Sequence, residues 1–307
     1  MKTAPNCGMP RRVRAGISLV ELLVVISLIA VLLGLLMAGV QMVRQRAREV
    51  QVRNDIQQLT VAVQQFKTKH HVSYMPSMIV LREDGAYGTH ANATVAALER
   101  RSAGDLRRIW PRLQPQVDWN QNGVIDPGDA GSFILEGDQC LVFFLGGAQV
   151  NGACVGFSTS PLNPMGTGTR EAPSFDFPTN RLQPLAHAST GNSPFLSFID
   201  TYGTQPYLYM ASRQGNDYID PLRPNGDCPS AGVLPYRENL PSVLKYHNRD
   251  SFQIVCAGSD RLFGPGGAWD AGTGAPYVNA QPSPPNAAFN GRDDFSNFHG
   301  SRLGSGQ

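Results

Sequence analysis

The sequence contains no CxxC pair, no HExxH, no GxxxxGK[ST] and no GxSxG around any serine. These absences argue against a thiolate zinc site, a thioredoxin-like redox motif, a zincin protease, a P-loop and a nucleophile elbow. Lysine is scarce beyond about residue 75, and the chain lacks a basic patch interleaved with aromatics. Seven of its twenty-two arginines stand in the first fifth, at 11, 12, 14, 44, 46, 48 and 53, and the others are distributed along the chain, so no nucleic-acid partner is indicated. His70 and His71 are adjacent, and His90, His187, His247 and His299 are scattered without catalytic or metal-ligand spacing. The glycine-rich stretch GPGGAWDAGTG at 264–274 carries no lysine and reads as a loop. The expectation is a protein that is not an enzyme.

What the chain does have is a long apolar run. Residues 17–40 read ISLVELLVVISLIAVLLGLLMAGV, without a charge from Leu22 to Val40, and a helix of that length spans a hydrocarbon core. Arginines flank it on both sides, which leaves orientation open by the positive-inside rule. A discarded secretory signal is the alternative, but the run is long for one, no A-x-A follows, and Glu21 interrupts its start. From Val43 to His70 the apolar residues Val43, Ala47, Val50, Ile56, Leu59, Val63 and Phe66 recur mostly at helical spacing. With no proline or glycine between Gln41 and His70, residues 17–70 can form one rod on the order of 80 Å long. The outer half should bury that stripe against the head that follows.

The segment RAG followed by ISLVELLVVISLIAVLLGLL resembles the prepilin processing site shared by type IV pilins and type II secretion pseudopilins. The resemblance implies cleavage after Gly16 by a prepilin peptidase, N-methylation of Ile17, and assembly into a filament through the N-terminal helix. It departs from the family at Ile17, where phenylalanine is commoner. Glu21 falls at the family's fifth mature position. An ionised carboxylate near a bilayer core costs about 2.5–3.5 kcal/mol and needs a partner. The α-amino group that cleavage would create on Ile17 is the natural one, in the same chain or, as the resemblance implies, on a neighbouring subunit. Snorkelling to the headgroups is the simpler reading.

Past residue 70, short helices are expected at Ala93–Arg101 and Asp105–Trp110, and strands at Gln139–Leu145, Phe195–Ile199, Tyr207–Met210 and Ser251–Ala257. A helix followed by strands gives an α+β fold: a long N-terminal helix, membrane-spanning and then amphipathic, packed on an antiparallel sheet with long loops. The expected organisation is a leader at 1–16, the helix at 17–70, a pilin-like head at 71–298 with an insertion at about 75–195, and a tail at 299–307. The segments at 200–210, 252–267 and 292–298 resemble, more loosely, the last strands and C-terminal loop of major pseudopilins. The implied location is the inner membrane with an extracytoplasmic head, then a pilus or periplasmic pseudopilus. The implied partners are the peptidase, related pilin subunits, an inner-membrane assembly platform and the lipid bilayer. The rival reading is a membrane-anchored, calcium-dependent adhesive module or an anchored extracytoplasmic hydrolase.

Cys7 lies in the leader, which leaves Cys140, Cys154, Cys228 and Cys256 in the head. Three pairings are possible; Cys140 with Cys154 and Cys228 with Cys256 close the shortest loops, and buried free thiols are the alternative. The stretch DWNQNGVIDPGD sets Asp118, Asn120, Asn122, Gly123, Asp126 and Asp129 at positions 1, 3, 5, 6, 9 and 12 of an EF-hand-like frame, with the Val124 carbonyl at position 7. That pattern suits Ca2+, although an Asn-Gly turn rich in Asx bonds would look similar. A second calcium cluster, from Asp260, Asp293 and Asp294, is implied by the pseudopilin likeness.

Overall fold

The computed structural model describes residues 18–187, 191–213, 215, 218, 222–223, 225–240, 242–277 and 287–305. Two compact units part between Ala47 and Arg48, although one helix, α1 (Leu19–His70), runs through the boundary. In the first unit the side chains described from Leu19 to Ala47 are exposed. The most apolar window of 18 residues has a mean hydropathy of 3.0 and is 0% buried, as suits a segment whose solvent is lipid. The helix starts on a capping box: Ser18 Oγ accepts the Glu21 N–H at 3.1 Å, and Glu21 Oε2 accepts the Ser18 N–H at 3.0 Å, so two otherwise orphan donors are satisfied reciprocally.

In the second unit α1 buries Val52, Ile56, Leu59, Ala62, Val63 and Phe66. Val50, expected on this stripe, is 66% exposed, and Val52 takes the buried position. The helix stops in a Schellman turn. His71, at φ 53° where glycine is usual, donates to the Thr68 carbonyl, and Val72 donates to that of Lys67.

The strands are β1 (Ile79–Arg82), β2 (Ser132–Leu135), β3 (Gln149–Val150), β4 (Ala153–Cys154), β5 (Leu182–His187), β6 (Gly191–Phe198), β7 (Leu208–Ala211), β8 (Leu234–Glu238), β9 (Phe252–Cys256), β10 (Gly266–Trp269) and β11 (Phe295–Ser296). They form several small sheets rather than the single sheet expected. β1–β2, β3–β4 and β5–β6 are antiparallel pairs, β7–β9–β11 is an antiparallel triplet, and β8–β10 is parallel. The strands foreseen around 195–199, 207–210 and 251–257 are β6, β7 and β9.

Two expectations fail. Ala93–Ile109 is one helix, α2, not two. Asn92 caps its start by accepting from the Thr94 and Val95 amides, and tertiary contacts carry it past Gly104. Ser102 Oγ accepts the Val80 amide while donating to the Leu98 carbonyl, and Leu106 and Ile109 are buried. The run Gln139–Leu145 is not a strand but lies within α3 (Gly137–Gly146), whose ten residues are all buried. A helix surrounded on every side is apolar all round and shows no period that separates it from a core strand. It ends at Gly147, φ 78°, which lies against Gly156, φ 77°; a Cβ on Gly156 would come within 1.8 Å of the Glu171 carbonyl.

One core joins α1, α2, α3, Trp110, Trp119 and the aromatic residues of β6 and β7, so much of the segment at 75–195 is core rather than appendage. A second core gathers Trp269, Tyr236, Tyr277, Tyr218 and Leu303. Neither expected disulfide is present. Cys140, Cys154, Cys228 and Cys256 are free thiols. The Sγ–H groups of Cys140 and Cys228 face the carbonyls of Leu135 and Tyr209, and that of Cys256 faces Asp200.

Candidate functional site

Gly16 and Ile17 lie outside the described residues. Of the expected N-terminal site only Glu21 is seen, exposed and engaged in the capping box with Ser18. That local role was readable from the S-x-x-E spacing.

The loop at 118–129 is anchored by its second residue, Trp119, which is buried with its indole N–H on the Arg82 carbonyl. Asp118, Asn120, Asn122 and Asp126 converge. Asp118 accepts the amides of Asn122 (3.2 Å) and Gly123 (2.8 Å), Asn120 Oδ1 accepts the Asn122 amide, and Asn122 Oδ1 accepts the Val124 amide. The Asn122 side chain also donates to Asp126 at 3.3 Å. Gln121 and Gly123 adopt positive φ to make the turn. Asp129, expected to close the site, turns elsewhere. Its carboxylate lies 3.6 Å from Arg82 and 3.8 Å from His90, because the guanidinium at the end of β1 is the nearest strong cation.

In its place stands Glu83, which sequence reasoning missed. It is fully buried and accepts the Asn120 amide at 3.3 Å and the Asp126 amide at 3.0 Å. Burial, with Asp118 and Asp126 close by, pushes its carboxyl above the ordinary range. Five oxygen-bearing side chains thus belong to the loop or brace it, and in this arrangement their oxygens accept hydrogen bonds, mostly from backbone amides. The only sequence signal for Glu83 was the acidic pair in LREDG.

Asp260, Asp293 and Asp294 do come together. Asp293 Oδ2 accepts the Ser259 hydroxyl at 2.6 Å and the Asp260 amide at 2.9 Å, while Asp294 Oδ2 accepts the Gly264 amide at 3.0 Å and the Tyr236 hydroxyl at 3.3 Å. Asp294 is fully buried, and its Oδ1 has no hydrogen-bond partner. Burial first, then the neighbouring Asp293, pushes Asp260 up to about 7, and burial raises Asp294 as well. The three carboxylates feel one another electrostatically and Asp294 Oδ1 is an orphaned buried oxygen, but they do not converge to within 4.8 Å as a ligand set. A cavity of about 400 Å³ opens beside them, lined by Ser259, Asp260, Arg292, Asp293 and Arg302.

A third cluster went unnoticed in the sequence. Glu136, Asp138 and His187 are buried and bring one ligand atom each within 4.8 Å of the others. No protein-family model, curated protein or solved structure significantly matches the chain.

Proposed function

We propose that this chain is a structural subunit of a type IV pilus-like filament or type II secretion pseudopilus, cleaved by a prepilin peptidase between Gly16 and Ile17. The observation that carries the reading is α1. An unburied, charge-free apolar stretch begins on a capping glutamate, and the same helix continues into a second unit where its residues become core. A discarded signal sequence has no use for that continuation. In the filament the N-terminal stretches pack against one another in lipid and then in the assembly, and the α+β heads face outward. Calcium belongs to the reading as a ligand of the head. Asp260, Asp293 and Asp294 would hold it at one place, and Asp118, Asn120, Asn122 and Asp126 with Glu83 at another.

The test is co-expression with a prepilin peptidase, followed by mass spectrometry of the mature N-terminus. The expected product starts at N-methylated Ile17; a start near residue 39 would sink the proposal. Glu21→Ala should leave membrane insertion intact, since removing the carboxylate lowers the cost of entering lipid, while reducing filament yield. Normal yield would remove Glu21 from assembly.

A further inference from the structure

We infer that Glu136, Asp138 and His187 form a buried site for a first-row divalent metal, with zinc the best fit, that ties α3 to the β5–β6 hairpin. The site is distinct from the calcium places and does not depend on the proposed filament role. Its ligands come from separate segments. Glu136 and Asp138 flank the first residue of α3, and His187 ends β5.

The imidazole geometry carries the inference. His187 Nδ1 lies 2.9 Å from the Leu185 carbonyl, which can only accept, so the proton of the neutral ring sits on Nδ1. Nε2 is left with its lone pair facing both oxygens of Asp138, each at 3.0 Å. A lone pair aimed at two carboxylate oxygens is repulsive unless a proton or a metal ion lies there. Metal-bound histidines are held in this way, with the far ring N–H on a backbone carbonyl.

The carboxylates have an outer shell of their own. Ser197 Oγ donates to Asp138 Oδ2 at 2.6 Å, and Ser230 donates to Glu136 through its hydroxyl at 2.6 Å and its amide at 2.9 Å. Ligand bonds of about 2.0–2.1 Å place neighbouring donors roughly 3.3 Å apart in a tetrahedron. His187 and Asp138, 3.0 Å apart, would therefore open slightly, while the Glu136 ligand atom, within 4.8 Å of the other two, sets how far the third side has to adjust. Two carboxylates would match the charge of a divalent ion, which would displace the proton that Asp138, against the cost of burial, otherwise holds on the imidazole, raised to about 9 in the metal-free chain. The nitrogen donor argues against calcium and magnesium, which take oxygen, and the absence of thiolate in the set does not disfavour zinc.

The alternative occupant is a second proton, which makes the cluster a histidinium held by two carboxylates. The full-length chain in detergent micelles, stripped with a chelator and dialysed against limiting zinc, distinguishes the two. One equivalent of zinc should be retained, and Co2+ in its place should give the visible absorption of a low-coordinate nitrogen–oxygen site. Ser197→Ala, which spares all three ligands, should weaken zinc binding about 10- to 100-fold, and His187→Gln should abolish the cobalt spectrum. If His187→Gln does not fold, 15N resonances of the His187 ring in the parent chain decide. An Nε2 that shifts on zinc addition supports the site. A ring that stays doubly protonated at saturating zinc, or a cobalt spectrum unchanged in Ser197→Ala and His187→Gln, overturns it.

Discussion

Asp55 shows how much a single charge can hold in this head. Nearly buried on α1, its carboxylate accepts from Arg181 Nη2 at 2.8 Å and from the Tyr207 hydroxyl at 2.9 Å, and the same guanidinium lies 4.3 Å from the Phe198 ring centroid. Truncating one partner of a buried pair strands the other, so Asp55→Ala should cost about 3–5 kcal/mol in urea unfolding of the detergent-solubilised chain. Asp260 gives a different test. Its carboxyl is raised to about 7 against about 3.9 in an unfolded chain. Between those values the folded state binds the extra proton, so calcium-free stability falls as pH rises from about 4 to about 7 and then levels off. Asp260→Asn should flatten that slope in thermal melts. Calcium competes with the same protons, so its stabilising effect should be larger near pH 8 than near pH 5.

Elements differed in how far the sequence announced them. α1 was legible because nothing between Gln41 and His70 breaks a helix and no charge falls between Leu22 and Val40. β6, β7 and β9 were legible because turn residues bound their short apolar runs. α3 was not, since a fully buried helix and a core strand look alike over seven residues. α2 was read as two pieces because Gly104 outweighs its neighbours in local propensity, whereas Ser102 and Leu106 settle the matter through contacts distant in sequence. The same limit hid Glu83 from the 118–126 loop and His187 from Asp138, because only the folded chain brings them together. α3 fills the centre of the first core, where Phe143 meets Trp119, Phe144, Phe157 and Phe195. Phe143→Ala should therefore lower stability by about 3–5 kcal/mol, measured by the shift in denaturant midpoint at unchanged slope.

At the scale of the whole molecule, the two units present different surfaces to their surroundings. The exposed apolar residues of the first, from Leu19 to Val43, have no internal partner and should keep the chain in the pellet through alkaline carbonate washing, with release only by detergent. The second is held by packing, hydrogen bonds and ion pairs, with no disulfide among the described residues. Its sulfur atoms serve as ordinary filler, three of them fully enclosed, and burial raises the thiol of every one, Cys154 up to about 12. Thiolates are the species that exchange, so dithiol catalysts have little to act on here. Head yield should therefore be the same in cells with and without their disulfide-forming enzymes, and the proposed filament should withstand reductants that dismantle cross-linked fibres.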